Sequence, residues 1–288
     1  MKGADTPGGN GSGEAPDELK PAEAQSIVEP DSHLVSFLDR ASFEAEQYRI
    51  LRHLVEERSR QTGLRILAVT SPGPGEGKTL TSINLAGALA HAPGTRVLLI
   101  DADLRRPSLI PCLGLDCGAD QGLAEAMTDP SVGIEDVVLY SARFNLWVMP
   151  PGNSSIPVYE VLQLPSLADV LEDARQRFDF VIVDTPPAVA FPDYRLLEKW
   201  IDGSLLVICA GRTPRKMMES ALGILDPAKA LGIVFNGASG GVTRYYGNYY
   251  GSYNRAVASH PVEKPKAAPR PAALQASIER GGPGRNLT

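Results

Sequence analysis

The chain has 288 residues, 43% of them hydrophobic, and a net charge of −6, enough apolar material for one sizeable core with ends too polar to join it. Cys112, Cys117 and Cys209 form no C-x-x-C pair, which argues against a disulfide framework or zinc site, and no basic stripe with interleaved aromatics suggests nucleic acid as a partner. The first thirty residues lack the charged start and apolar stretch of a signal peptide, and apolar runs such as 205–210 are too short to span a bilayer, so a cytoplasmic chain is expected.

Residues 1–33 hold seven acids against two lysines and scarcely an apolar side chain, the composition of a disordered tail. From 42 to 59 the spacing becomes helical, with Ser42 as N-cap and Phe43, Ile50, Leu51, Leu54 and Val55 on one apolar stripe. Glu46, Arg49 and Arg52 recur at three-residue spacing on the polar side. Residues 65–79 then run from a short apolar strand into Ser71-Pro72-Gly73-Pro74-Gly75-Glu76-Gly77-Lys78-Thr79 at the start of a second helix. Glycines can turn successive N–H groups toward an anion at the positive end of a helix. Gly73, Gly75 and Gly77 are the candidates here, and Pro74, Glu76 and Leu80 complete the segment expected to touch a nucleotide. Lys78 would reach the outer phosphates and Thr79 would bind Mg²⁺. Pro72 stands where the first glycine of G-x-x-x-x-G-K-[ST] belongs.

A helix is expected over 80–91, stopped by Pro93-Gly94, and a strand over 95–100 whose unbroken apolar run suits a parallel sheet covered on both faces. Asp101-Ala102-Asp103 follows it at once, which puts two carboxylates at the C-terminal edge of the sheet. Two such groups repel unless a cation or a proton lies between them; a capping role for one of them is the alternative. After an irregular stretch to about 140, strands are expected at 145–149, 180–183, 204–210 and 231–235, and helices at 166–177, 194–200 and 215–224. The strand at 180–183 ends in Asp184-Thr185-Pro186, either a turn or the second Mg²⁺ position. Alternating strands and helices predict an α/β fold of three layers, a mostly parallel central sheet with helices on both faces.

Beyond Asn236, five of the chain's nine tyrosines fall at Tyr245, Tyr246, Tyr249, Tyr250 and Tyr253, spaced by Gly, Asn and Ser. That segment has no core-forming period; a low-complexity binding segment is one use for it. Residues 255–288 carry six basic and two acidic side chains among Pro and Ala and read as a solvated spacer. The expected division is a disordered tail at 1–33, a nucleotide-binding domain at 34–240, a tyrosine segment at 241–254 and a second tail at 255–288.

Four features together resemble the bacterial tyrosine kinases of the P-loop NTPase class: Ser71 to Thr79, Asp101 to Pro107, Val181 to Pro187, and the tyrosine run. Glu46-x-x-Arg49-x-x-Arg52 is similar to the helix through which subunits of that family join into a ring. The resemblance implies ATP and Mg²⁺ as cofactors and autophosphorylation of the five tyrosines in trans. It implies Lys78, Asp101, Asp103 and Asp184 as the catalytic set, with Asp101 the base and Thr79, Asp103 and Asp184 at the metal, and Asn236 beside the adenine. It also implies a role in exopolysaccharide or capsule synthesis and export, a separate membrane activator of the chain-length type, a cognate tyrosine phosphatase, and a place at the inner face of the cell membrane. A switch ATPase of the same superfamily, its tyrosine tail serving only for binding, is the rival expectation; a scaffold without turnover is a third, disfavoured by the retained Lys78 and aspartates.

Overall fold

The expected alternation of strands and helices is what the chain adopts. In this computed structural model, which describes residues 22–116 and 121–238, it begins with β1 (Ala22–Glu23), β2 (Gln25–Ser26), α1 (Val35–Leu38) and α2 (Phe43–Thr62). Then come β3 (Ile66–Thr70), α3 (Lys78–Ala90), β4 (Val97–Asp101), α4 (Leu109–Leu113) and β5 (Leu115–Asp116). Next are α5 (Leu123–Thr128), α6 (Ile134–Val137), β6 (Leu139–Ser141), β7 (Leu146–Met149), α7 (Val158–Val161) and α8 (Ser166–Arg177). β8 (Phe180–Asp184), α9 (Asp193–Leu197), β9 (Gly203–Cys209), α10 (Arg215–Leu222) and β10 (Ala230–Asn236) close the domain.

The main sheet has the order β1-β6-β7-β4-β8-β3-β9-β10 and is parallel throughout except between β6 and β7. Side chains alternate across a strand, and the apolar runs use both directions. Ile66, Ala68, Leu98, Ile100, Val181 and Val183 meet a layer containing α5, α6 and α8, whereas Leu67, Val69, Leu99 and Ile182 meet Val55 of α2 and Ile83, Leu85 and Leu89 of α3. The result is the expected three-layer α/β fold with its mostly parallel sheet. Among the described residues, no helix is long and apolar enough to cross a membrane.

Three expectations change. The tail expected to be disordered to residue 33 is ordered from Ala22: β1 pairs with β6, Ala24 N donates to Tyr140 O at 2.9 Å, and Asp31 N donates to Cys112 O at 2.9 Å. These are backbone bonds, to which side-chain composition is blind. The stretch expected to be irregular up to 140 holds α4, β5, α5, α6 and β6, each too short to show a period. On α2, Ser42 caps as expected, accepting from Ala45 N at 3.1 Å, and Val55 is buried, but Ile50 and Leu54 are exposed by 52% and 56%. The apolar positions therefore divide between the core and a surface pair one turn apart. Residues 1–21, and the tyrosine and basic segments assigned to 241–254 and 255–288, lie outside the described residues.

Candidate functional site

β3, β4 and β8 are adjacent and parallel, so their C-terminal ends share one edge, and the register sets Asp101 directly beside Asp184. The loop leaving β3 delivers the start of α3 to that edge. Gly75 and Gly77 hold φ of +73° and +91°, the left-handed region that favours glycine, whereas Gly73 is not among the glycines with positive φ. The expectation that all three glycines use this freedom is corrected to two.

Lys78 Nζ sits 3.0 Å from Asp103 Oδ2 and 3.4 Å from Asp184 Oδ2. Asp184 is fully buried and also accepts from Thr79 Oγ1 at 2.6 Å and Ser82 Oγ at 3.1 Å. Asp101 is equally buried; its Oδ1 accepts from Asp103 N and its Oδ2 from Ser108 N and Leu109 N, each at 3.1 Å. Burial, followed by the charge of Asp184, pushes the Asp101 carboxyl up to about 7. Burial also raises Asp184, against the pull of Lys78 and the Thr79 and Ser82 hydroxyls. Burial works against the charge of Lys78, but Asp184 and Asp103 outweigh it and hold the ammonium above its usual range.

Three buried carboxylates thus face one ammonium, an excess of negative charge that a divalent cation relieves. Among the described residues, no three His, Cys, Asp or Glu side chains gather as a protein-only metal cage. Mg²⁺ is commonly held by one or two carboxylates and substrate phosphates rather than by a full protein cage. The donors at hand are the Thr79 hydroxyl, Asp103 and Asp184.

Further residues support this edge: Glu76 and Asn236, both expected at a nucleotide, and Arg212, Thr213, Arg105 and Asp193, which carried no signal in the sequence. Glu76 is buried and accepts from Cys209 N at 2.6 Å and from the Thr213 hydroxyl, while Arg212 donates to Gly75 O. Asn236 Nδ2 donates to Glu76 O at 3.0 Å. Its amide therefore ties the end of β10 to the phosphate-binding loop. Arg105 makes two bonds to the buried Asp193, at 2.6 and 3.0 Å, and lies over the Phe191 ring. Leu80 packs on the apolar layer and Pro74 is exposed, so their side chains stay outside the polar cluster. Glu46, Arg49 and Arg52 are apart from it on α2: Arg49 bonds Glu46 and Arg40 O, and Arg52 bonds Glu56 at 2.7 Å and Ala88 O at 3.0 Å.

Comparison with known proteins gives a consistent result. The model of the AAA domain family matches residues 64–197. Tyrosine-protein kinase YwqD of Bacillus subtilis (strain 168) is 33% identical over 224 residues, covering 77% of this chain and 93% of that protein. Succinoglycan biosynthesis transport protein ExoP of Rhizobium meliloti (strain 1021) is 30% identical over 234 residues, which are 77% of this chain and 28% of that longer protein. The kinase domain of Escherichia coli tyrosine kinase ETK superposes with a TM-score of 0.69 at 26% identity, covering 76% of this chain and 84% of that domain.

Proposed function

The chain belongs to the bacterial tyrosine-protein kinases, and from that premise we propose that it transfers phosphate from ATP to Tyr245, Tyr246, Tyr249, Tyr250 and Tyr253 of a neighbouring copy within a ring. In this reading the modification regulates exopolysaccharide or capsule synthesis. The observation that carries it is the meeting of Lys78, Thr79, Asp101, Asp103 and Asp184 on one sheet edge.

Bound Mg²⁺–ATP supplies the phosphoryl group and the counter-charge. Lys78 and the loop N–H groups of Gly73 and of Gly75 to Thr79 would hold the phosphates, and Thr79, Asp103 and Asp184 would hold the metal ion. Asp101 is the base. A tyrosine hydroxyl near pKa ~10 needs one for transfer near neutrality, and a carboxyl pushed up to about 7 is poised to take the proton. A carboxylate has about four acceptor positions; the three backbone bonds to Asp101 fix its orientation and leave one position for the incoming hydroxyl.

ExoP is named for succinoglycan biosynthesis and transport. The proposed setting is accordingly the inner face of the cell membrane, beside a membrane protein of the chain-length type, with a tyrosine phosphatase resetting the tail. Several dianionic groups on a nine-residue segment repel one another and would eject it from the neighbour's site.

Incubation with Mg²⁺–ATP followed by intact mass and peptide fragmentation tests the transfer. Phosphate confined to residues 245–253 and lost in Lys78→Ala is the expected result; hydrolysis with an unmodified tail, persisting after candidate membrane activators are added, would instead favour the switch ATPase. For the ring, Arg52 is a poor probe because it ties α2 to α3 through Ala88 O. Arg49→Ala combined with Leu54→Asp removes an exposed cation and half of the exposed apolar pair. It is expected to yield monomers that still bind nucleotide, and an unchanged mass in light scattering would sink the ring.

A further inference from the structure

Away from the nucleotide edge, α1, the start of α2 and the end of α3 enclose a cavity of about 180 Å³ lined by Arg40, Arg49, Arg52 and His91, with the buried Ser36 and Ala88 also in its wall. Arg49 and Arg52 are partly neutralised by Glu46 and Glu56, and no ion pair to the Arg40 guanidinium is found among the described residues. The His91 imidazole is held below its usual range, first by burial and then by the charges of Arg40, Arg52 and Arg49; the Phe37 ring centroid lies 6.3 Å from its own. The second observation is independent of charge. Ser36 is 4% exposed, its N–H is bonded to Asn84 Oδ1 at 2.9 Å, and its hydroxyl has no hydrogen-bond partner among the described residues. A buried, unpartnered hydroxyl calls for an explanation, and here it lines the same cavity as three guanidinium groups.

We propose that this cleft is a binding site for a small phosphate-type oxyanion, either inorganic phosphate or a phosphate monoester. The Ser36 hydroxyl donates to one oxygen, and Arg40 with the unused N–H groups of Arg49 and Arg52 donates to the others. A guanidinium carries five donors in a fixed fork, so pairing to a glutamate and a carbonyl leaves some free. Two sources share this chemistry: free inorganic phosphate, and a phosphotyrosine on the tail of a second copy. The second source rests on the proposed kinase reading, whereas the site itself does not. Because the cleft shares Arg49 and Arg52 with the proposed ring contact, an occupied cleft and an assembled ring would compete.

The test uses the full chain without nucleotide, so that failure of the kinase reading leaves it intact. The His91 titration is followed by NMR alone, with inorganic phosphate, with phosphotyrosine, and with peptides of residues 242–254 bearing or lacking phosphate. An anion in the cleft offsets the field of the three arginines and is expected to raise the His91 pKa by roughly half a unit. Arg40→Ala and Ser36→Ala should each weaken binding, the former by about tenfold or more, while Arg215→Ala on α10 should change nothing. Binding of inorganic phosphate without binding of phosphotyrosine or the phosphopeptide would keep the site and overturn the tail as its source. A His91 titration unmoved by every ligand, or binding untouched by Arg40→Ala, would overturn the site.

Discussion

Gly77→Ala is expected to lower stability by about 3 kcal/mol, roughly 6–12 °C in Tm for a domain of this size, and to abolish nucleotide binding. Two costs coincide at this position. The backbone holds φ at +91°, and a Cβ would lie 1.8 Å from Asn236 Nδ2. Gly63 provides the comparison, because its φ is +74° but a Cβ there would meet nothing within 4 Å. Gly63→Ala should therefore show backbone strain alone, on the order of 1 kcal/mol. Adding Asn236→Ala to Gly77→Ala removes the collision and should recover part of the Tm, leaving the strained loop unable to hold phosphate. Equal Tm losses for Gly77→Ala and Gly63→Ala would show that Asn236 does not clamp the loop.

Asp184→Asn is expected to reduce tyrosine phosphorylation by roughly 10²–10³-fold, the loss typical of one preorganised electrostatic group, without destabilising the protein. Asp184 is fully buried and its carboxyl lies above the usual range, first because of burial. A raised folded-state pKa means that ionisation in the fold costs stability once the pH exceeds the unfolded value, 3.8, and that the whole cost is present above the folded value. The amide escapes that cost. In the absence of nucleotide, the variant's Tm should match or exceed the parent's at pH 8, with the gap narrowing toward pH 4. Activity within tenfold of the parent, or a Tm that falls at pH 8, would contradict the assigned role of Asp184.

The cluster of polar side chains on the sheet edge was legible because its signals are local. Apolar strands ending in Asp101 and Asp184, and a glycine turn ending in Lys78-Thr79, each fit within a few neighbouring residues. α8 was expected over its observed span, Ser166–Arg177, because its period runs unbroken. Ser82 and Ser108 carried no signal: Ser82 reads as an ordinary helix position, and Ser108 comes within 3.0 Å of Thr79 Oγ1 only after β4 has packed beside β8. Periodicity placed Ile50 and Leu54 on an apolar stripe but could not say whether that stripe met the core or the surface. The order from Ala22 onward, and the clamp role of Asn236, depend on pairings between distant backbones and were invisible for that reason.

The clamp on the phosphate-binding loop sets an order of events during synthesis. β3 leaves the ribosome early, yet its two neighbours in the sheet, β8 and β9, are made more than a hundred residues later, and the Asn236 amide that closes the loop is 160 residues away from Glu76. Such long-range pairings form slowly and only when both partners exist. The clamped form of the loop accordingly exists only once β10 has joined the sheet. A chain cut short ahead of Asn236 is therefore expected to lack this clamp, and its nucleotide affinity measured beside that of the full chain checks the dependence.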